Sequence, residues 1–300
     1  MFAPNTVIQT RWQAFVILLA IILIGFHSST IAVSVGQPTA YLLLAWTALL
    51  RALQSRHTII VILALVTLLL KPQFSLPLIF ALIVFDPWIR KPALIAGFLT
   101  AVLVWSGLGW TSPQLAFAEF LNNVALYGSF PENWSIHVSG PSFVLALFGV
   151  TDTSAVIWLV LCCAVIIVGG LLLRKDSLSP QLGHNARDVA LLVNALILFV
   201  VPTHNTDLIL ALPTLLLIVG SSSSQRLVLF VGFMLIMRSL NLSDLSEGFI
   251  FTEKTVWLAL FDTLGSGLIL LAAIEMIRIR AKDQVQADPI SSDKTVIFSA

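Results

Sequence analysis

Residues 57–86 read HTIIVILALVTLLLKPQFSLPLIFALIVFD. Apart from Lys71-Pro72-Gln73 this stretch is apolar nearly all round, with neither the alternation of a half-buried strand nor the single stripe of a surface helix. It reads as helix solvated by lipid. Neither 57–70 nor 74–86 reaches the roughly 20 residues of a full bilayer crossing, so the two pieces form either one crossing or two. The choice sets the topology of everything downstream.

Polar and Pro/Gly punctuation divides the whole chain into about ten such segments, near 12–33, 38–54, 57–70, 74–86, 92–109, 154–173, 188–202, 207–220, 226–240 and 255–277. Lys and Arg accumulate in the short cytoplasmic loops of membrane proteins, whereas Asp and Glu carry little weight. With the N-terminus inside and ten crossings, thirteen of the 16 Lys and Arg residues fall on the inside, leaving Lys71, Arg238 and Lys254 outside. A single crossing over 57–86 would flip every later loop, turning the basic stretch 174–187 outward and the Lys/Arg-free stretch 110–153 inward. The sequence therefore predicts a turn at Lys71-Pro72-Gln73, on the outer side, between two short helices. Such helices are tolerated where protein or a watery cavity covers their backbone.

Composition agrees. Over 300 residues, 58% are hydrophobic and 10% charged, with a mean hydropathy of +0.99, far from the roughly 25% charged residues of soluble domains. The expected fold is all-α: a polytopic integral membrane protein of about ten transmembrane or short broken helices. Residues 1–282 would form the membrane domain, including a long non-cytoplasmic loop over 110–153, and 283–300 a polar cytoplasmic tail. Arg11 ahead of Phe15–Phe26 reads as the start of an uncleaved first span, so both termini are expected in the cytoplasm. A net charge of +1, without a Lys/Arg cluster interleaved with aromatics, excludes nucleic acid as a partner. The two cysteines, Cys162 and Cys163, are adjacent within an apolar run, without metal or disulfide spacing, and read as small buried apolar residues.

The outer side holds most of the unusual polar residues: Gly36-Gln37, Lys71-Pro72-Gln73, Pro131-Glu132-Asn133-Trp134-Ser135, Thr203-His204-Asn205-Thr206-Asp207 and Asn241–Lys254. Within the long loop, Phe117–Tyr127 has a helical period suited to lying flat in the interface. A site handling a lipid-borne substrate needs a cation for the headgroup, a carboxylate or imidazole for proton transfer and polar groups for the second substrate. Each type is present on this side. Lys71 either snorkels to the interface or meets an anion in a cavity. His204 and Asp207 share one side of a first helical turn, a spacing that a helix cap with Asp207 complementing the dipole would also produce. Asp262, inside the last span, is either part of a proton path or hydrogen-bonded to Thr263 or a neighbouring helix. Asn133-Trp134-Ser135 has the form of a glycosylation sequon.

The order of features adds a further expectation. Val35-Gly36-Gln37 opens an apolar helix, and Leu68-Leu69-Leu70-Lys71-Pro72-Gln73 follows the next span. Trp88-Ile89-Arg90-Lys91 forms an inner basic turn, Glu132-Asn133-Trp134-Ser135 lies outside, and Val201-Pro202 leads to Asp207-Leu208 and Leu212-Pro213. From about residue 30 to 220 this order resembles glycosyltransferase family 87, which includes polyprenyl-phosphate-mannose-dependent mannosyltransferases of the C-type membrane glycosyltransferase fold. The resemblance implies transfer of a hexose, mannose in the family's best-known members, from a polyprenyl-phosphate carrier to a lipid-linked or glycan acceptor on the non-cytoplasmic face of a bacterial plasma membrane. By that analogy Lys71, Gln73 and Gln37 would face the lipid phosphate, with Asn133, His204 and Asp207 on the sugar or acceptor side. His204 and Asp207 would be catalytic, and neither metal nor nucleotide cofactor is implied. Family members are similar in carrying a catalytic aspartate upstream of the Gly-Gln helix, whereas the first acidic residue here is Asp86, on the inner side. The chain thus resembles a member lacking its N-terminal spans, with a partner polypeptide as one expected source of them. The readings from other classes are a non-catalytic accessory subunit and a lipid or sugar transporter. The spread of polar residues along one face, without an inverted repeat, tilts against the transporter.

Overall fold

The computed structural model describes residues 39–107, 112, 114–115, 118–119, 122–123, 126, 138–150, 155–175, 186–202, 205–218, 222–237 and 253–287. Within them the chain forms α1 (Thr39–Ser55), α2 (Thr58–Leu68), α3 (Pro72–Phe85), a 3-10 turn (Pro87–Ile89) and α4 (Arg90–Gly107). There follow α5 (Pro141–Leu147), α6 (Ala155–Lys175), α7 (Ala186–Val200), a 3-10 helix (Asn205–Ile218), α8 (Ser223–Met237) and α9 (Glu253–Ala287). No strand occurs among the described residues. Eight of the ten apolar segments coincide with these helices to within a few residues, the segment 255–277 continues as helix to Ala287, and the segment near 12–33 lies outside the described residues. The last helix continues to Ala287, beyond the 282 boundary expected for the polar tail.

Pro72 stands at the first position of α3, where its missing N–H costs nothing and its fixed φ suits a helix start. The 57–86 stretch is a hairpin. A continuous helix would separate residues 56 and 86 by about 45 Å, yet Arg56 and Asp86 are joined by an ion pair.

The core runs through α1, α2, α3, α7 and the 3-10 helix, with Trp46, Leu49, Leu65, Leu78, Leu198 and Leu210 among its fully buried side chains. Its centre is α7, which packs on α1, α3, α6, α9 and the 3-10 helix. At the rim, α8 and α9 cross closely: a side chain on Gly232 would meet the Gly265 carbonyl oxygen at 2.9 Å, and one on Gly265 the Gly232 carbonyl oxygen at 2.7 Å. Small residues at facing positions let membrane helices approach in this way.

Two of the described helices are long and apolar enough to cross a membrane, Pro87–Gly107 and Val256–Ile277. The first is only 22% buried, and Leu94, Phe98 and Leu103 are each more than half exposed. The core helix of a water-soluble protein would hide such a face; a helix edge of this size in lipid has no reason to.

The apolar segment expected over 207–220 is a 3-10 helix, Asn205–Ile218. Pro213 supplies no N–H to the Ile209 carbonyl and its ring crowds that oxygen in α geometry. The next carbonyl, Leu210, is taken by the buried Asn194 side chain of α7, whose Nδ2 donates at 2.7 Å. Proline thus removes one α-helical bond, and the Asn194 amide competes for the carbonyl of the next. At about 2.0 Å per residue, the 14 residues extend about 28 Å, against about 21 Å for an α-helix.

Candidate functional site

The tip of the α2–α3 hairpin is organised around Lys71. Tight turn bonds end α2, with Leu70 N–H donating to Thr67 O (3.2 Å) and Lys71 N–H to Leu68 O (3.1 Å). Lys71 is extended, φ −123 and ψ 83, as a residue before proline must be. Its carbonyl accepts from Phe74 N–H (3.0 Å), Ser75 N–H (3.2 Å) and the Ser75 hydroxyl (3.3 Å), so the main chain at Lys71 anchors the first turn of α3. The half-buried side chain folds back and puts Nζ 5.9 Å from the Phe74 ring centroid, within cation–π range. Gln73, also half-buried, occupies the same turn. Pro77 cannot donate to the Gln73 carbonyl. A lysine ammonium therefore stands beside the positive end of a helix dipole, an arrangement that favours a phosphate-like anion.

The other end of the hairpin is closed by charge. Asp86 is buried, pairs with Arg56, and accepts from Trp88 N–H at 3.2 Å. The Arg56 guanidinium also lies 5.1 Å from the Trp88 ring centroid. Arg56 has φ +54, the left-handed position that ends α1, with His57 N–H reaching back to Ala52 O at 3.1 Å. This is a Schellman-type cap whose usual glycine is replaced by arginine. The 14 residues of α3 separate Asp86 from Lys71 by about 21 Å.

Of the six residues singled out from sequence, Lys71 and Gln73 are placed with their side chains, at the hairpin tip. Asp207 is placed by its backbone alone, in the first turn of the 3-10 helix. Gln37, Asn133 and His204 lie outside the described residues. Among the described residues, the main chain at Gly140 and that at Phe199 come together. Gly140, seven residues after Asn133, lies against the main chain of Phe199, five residues before His204, and the Phe199 carbonyl fills the space a side chain would need. Gly140 N–H donates to the Thr263 hydroxyl at 2.8 Å. That hydroxyl gives its proton to Ala259 O at 2.6 Å, so it is not spent on the neighbouring Asp262, which is itself buried. Ser142, in the first turn of α5, is buried as well.

Sequence reasoning singled out Asp262, with Thr263 as one candidate partner for it, but missed Gly140 and its bond to the Thr263 hydroxyl. The available signal was Ser139-Gly140-Pro141, a helix start with proline at its first position. In the long loop, Ser112 accepts from Leu115 N–H at 3.2 Å, and the described residues between 114 and 126 are helical and exposed. Among the described residues, no group of three or more His, Cys, Asp or Glu is arranged to hold a metal ion.

Fold and site together define a helical protein with membrane-length, lipid-suited helices and a lysine-tipped hairpin. No family model, curated protein or solved structure matches the chain.

Proposed function

We propose that this protein is an integral membrane hexosyltransferase of the family 87 kind, with about ten crossings and both termini cytoplasmic. It moves a hexose, mannose in the first instance, from a polyprenyl-phosphate carrier to a lipid-linked or glycan acceptor at the non-cytoplasmic face. The observation that carries this reading is Lys71: a half-buried ammonium at the N-terminus of α3, at the far end of a hairpin from Arg56, Arg90 and Lys91. Ammonium and helix dipole would together steady the departing lipid phosphate as the acceptor hydroxyl attacks the anomeric carbon. The hydroxyl proton would pass to Asp207, with His204, three residues earlier in the chain, as a second proton-transfer group. The reach of the 3-10 helix, close to the roughly 30 Å of a hydrocarbon core, fits Asp207 at one membrane surface. Asp86 cannot serve as the base, because it is tied to Arg56 at the opposite end of α3. That same fact favours a second reading, an accessory subunit that holds the lipid donor for a partner polypeptide supplying the carboxylate.

The test is transfer of labelled mannose from polyprenyl-phosphate-mannose to a mixed lipid acceptor pool by the chain in liposomes. Lys71→Ala and Asp207→Asn are each expected to lower turnover by about 100-fold or more with the melting temperature unchanged. Lys71-dependent donor binding without turnover selects the accessory subunit. Neither turnover nor Lys71-dependent binding sinks both readings.

A further inference from the structure

The Arg56–Asp86 pair does more than close a hairpin: it gathers basic side chains from two separate turns. Arg51 is exposed in the last part of α1, and Arg56 follows that helix directly. Arg90 and Lys91, both exposed, open α4. Since Arg56 reaches Asp86 and Trp88, the α1–α2 turn and the α3–α4 turn meet. Four cations thus share one end of the molecule with one buried carboxylate. Arg90 is held there by its Nε, which donates to Ile83 O at 3.2 Å.

The apolar faces that begin at this end are uncovered. Ile59 and Leu63 on α2 are 65% and 60% exposed, and Leu94 and Phe98 on α4 are 74% and 68% exposed. The two helices pack against each other, and the exposed apolar side chains of each run on from the turns that carry the basic residues. The complement of this arrangement is an amphiphile: an anionic head at the arginines, with hydrocarbon chains along α2 and α4. Trp88, half-buried beneath Arg56, is of the residue type that lies at headgroup depth. A free anion would satisfy the charges and leave the apolar faces bare.

We propose that Arg51, Arg90 and Lys91, positioned by the Arg56–Asp86–Trp88 clasp, form a binding site for the phosphate of an anionic phospholipid whose acyl chains lie on α2 and α4. This site is independent of the transfer chemistry and lies at the opposite end of α3 from Lys71.

The test reconstitutes the full chain in vesicles of equal phosphatidylglycerol and phosphatidylcholine, extracts it gently, and measures the retained lipids by mass spectrometry. Wild type is expected to retain phosphatidylglycerol in preference by about tenfold or more. The triple substitution Arg51→Gln, Arg90→Gln and Lys91→Gln should abolish the preference. Arg51→Lys with Arg90→Lys should keep it, as should Arg226→Gln, which removes an exposed cation on α8. Excess inorganic phosphate should not displace the lipid. Equal retention of both lipids by wild type overturns the proposal whatever the variants do. So does a preference that survives the triple substitution, falls with Arg226→Gln, or yields to inorganic phosphate.

Discussion

Arg56 and Asp86, 30 residues apart, form an ion pair across the base of the α2–α3 hairpin, with the carboxylate buried and the guanidinium stacked against Trp88. The arginine holds this position in a left-handed conformation, φ +54, which costs a residue with a Cβ about 1 kcal/mol. The tertiary contacts must offset that cost. Removing the arginine leaves a buried carboxylate without its cation, so Arg56→Ala should destabilise the chain by about 1–3 kcal/mol; the arginine's own exposure keeps the loss below that of a fully buried pair. Arg56→Gly loses the same contacts but relieves the backbone, and should be more stable than Arg56→Ala by about 1 kcal/mol. Unfolding in mixed micelles measures both. Equal stability of the two variants would show that the left-handed cap contributes nothing.

Gly140 and Gly149 separate conformational strain from steric conflict. Both have positive φ, +95 and +84, but nothing lies within 4 Å of a side chain built on Gly149, whereas the Phe199 carbonyl blocks one on Gly140. Gly149→Ala should therefore cost about 1–2 kcal/mol, the backbone term alone. Gly140→Ala should cost about 3 kcal/mol or more, or prevent folding, because α5 must leave α7 and give up its bond to Thr263. Melting temperatures of the pair decide. If the two fall equally, the junction of α5, α7 and α9 is softer than its geometry implies.

Helix positions were legible in the sequence because long apolar runs punctuated by polar, Pro and Gly residues mark them. The hairpin at Lys71 was legible too, through the charge bias that made one crossing over 57–86 the worse topology. What the sequence concealed depends on partners far along the chain. Asp86 carries no local sign that Arg56 will bury it. The 3-10 geometry of 205–218 has one local cause, Pro213, and one distant cause, Asn194. The candidate site was legible as a set of residue types, and Lys71 and Gln73 do share a turn. The junction through Gly140 and Thr263 was hidden because a glycine amide and a threonine hydroxyl look structural until the fold brings them together.

The crossing of α8 and α9 predicts another contrast. Ala at Gly232 or Gly265 would put a methyl group within 3 Å of the opposite carbonyl oxygen and should force the helices apart at about 1–3 kcal/mol each. Gly97, mid-helix in α4, has nothing within 4 Å of a built side chain, so Gly97→Ala should stabilise by up to about 1 kcal/mol through helix propensity alone. Proteolysis of the loop between α8 and α9 would report the same difference: faster cleavage in the Gly232 and Gly265 variants, unchanged cleavage for Gly97→Ala.

Asn194 and Pro213 act on adjacent carbonyls, and their effects should not add. Asn194→Ala frees the Leu210 carbonyl in a buried setting and is expected to cost about 1–3 kcal/mol. Pro213→Ala restores the N–H that could reach the Ile209 carbonyl, but Asn194 still holds Leu210 away from α geometry, so the single change should move stability little. With both replaced, the two obstacles to an α-helix are gone and 205–218 can shorten by about 7 Å. The double variant should recover part of the Asn194→Ala loss, a coupling of about 1 kcal/mol. Its spacing from Asp207 to a label on α8, measured by spin-label distances, should contract. An additive cycle with no contraction would mean that the 3-10 geometry is set elsewhere, by packing on α1 and α7.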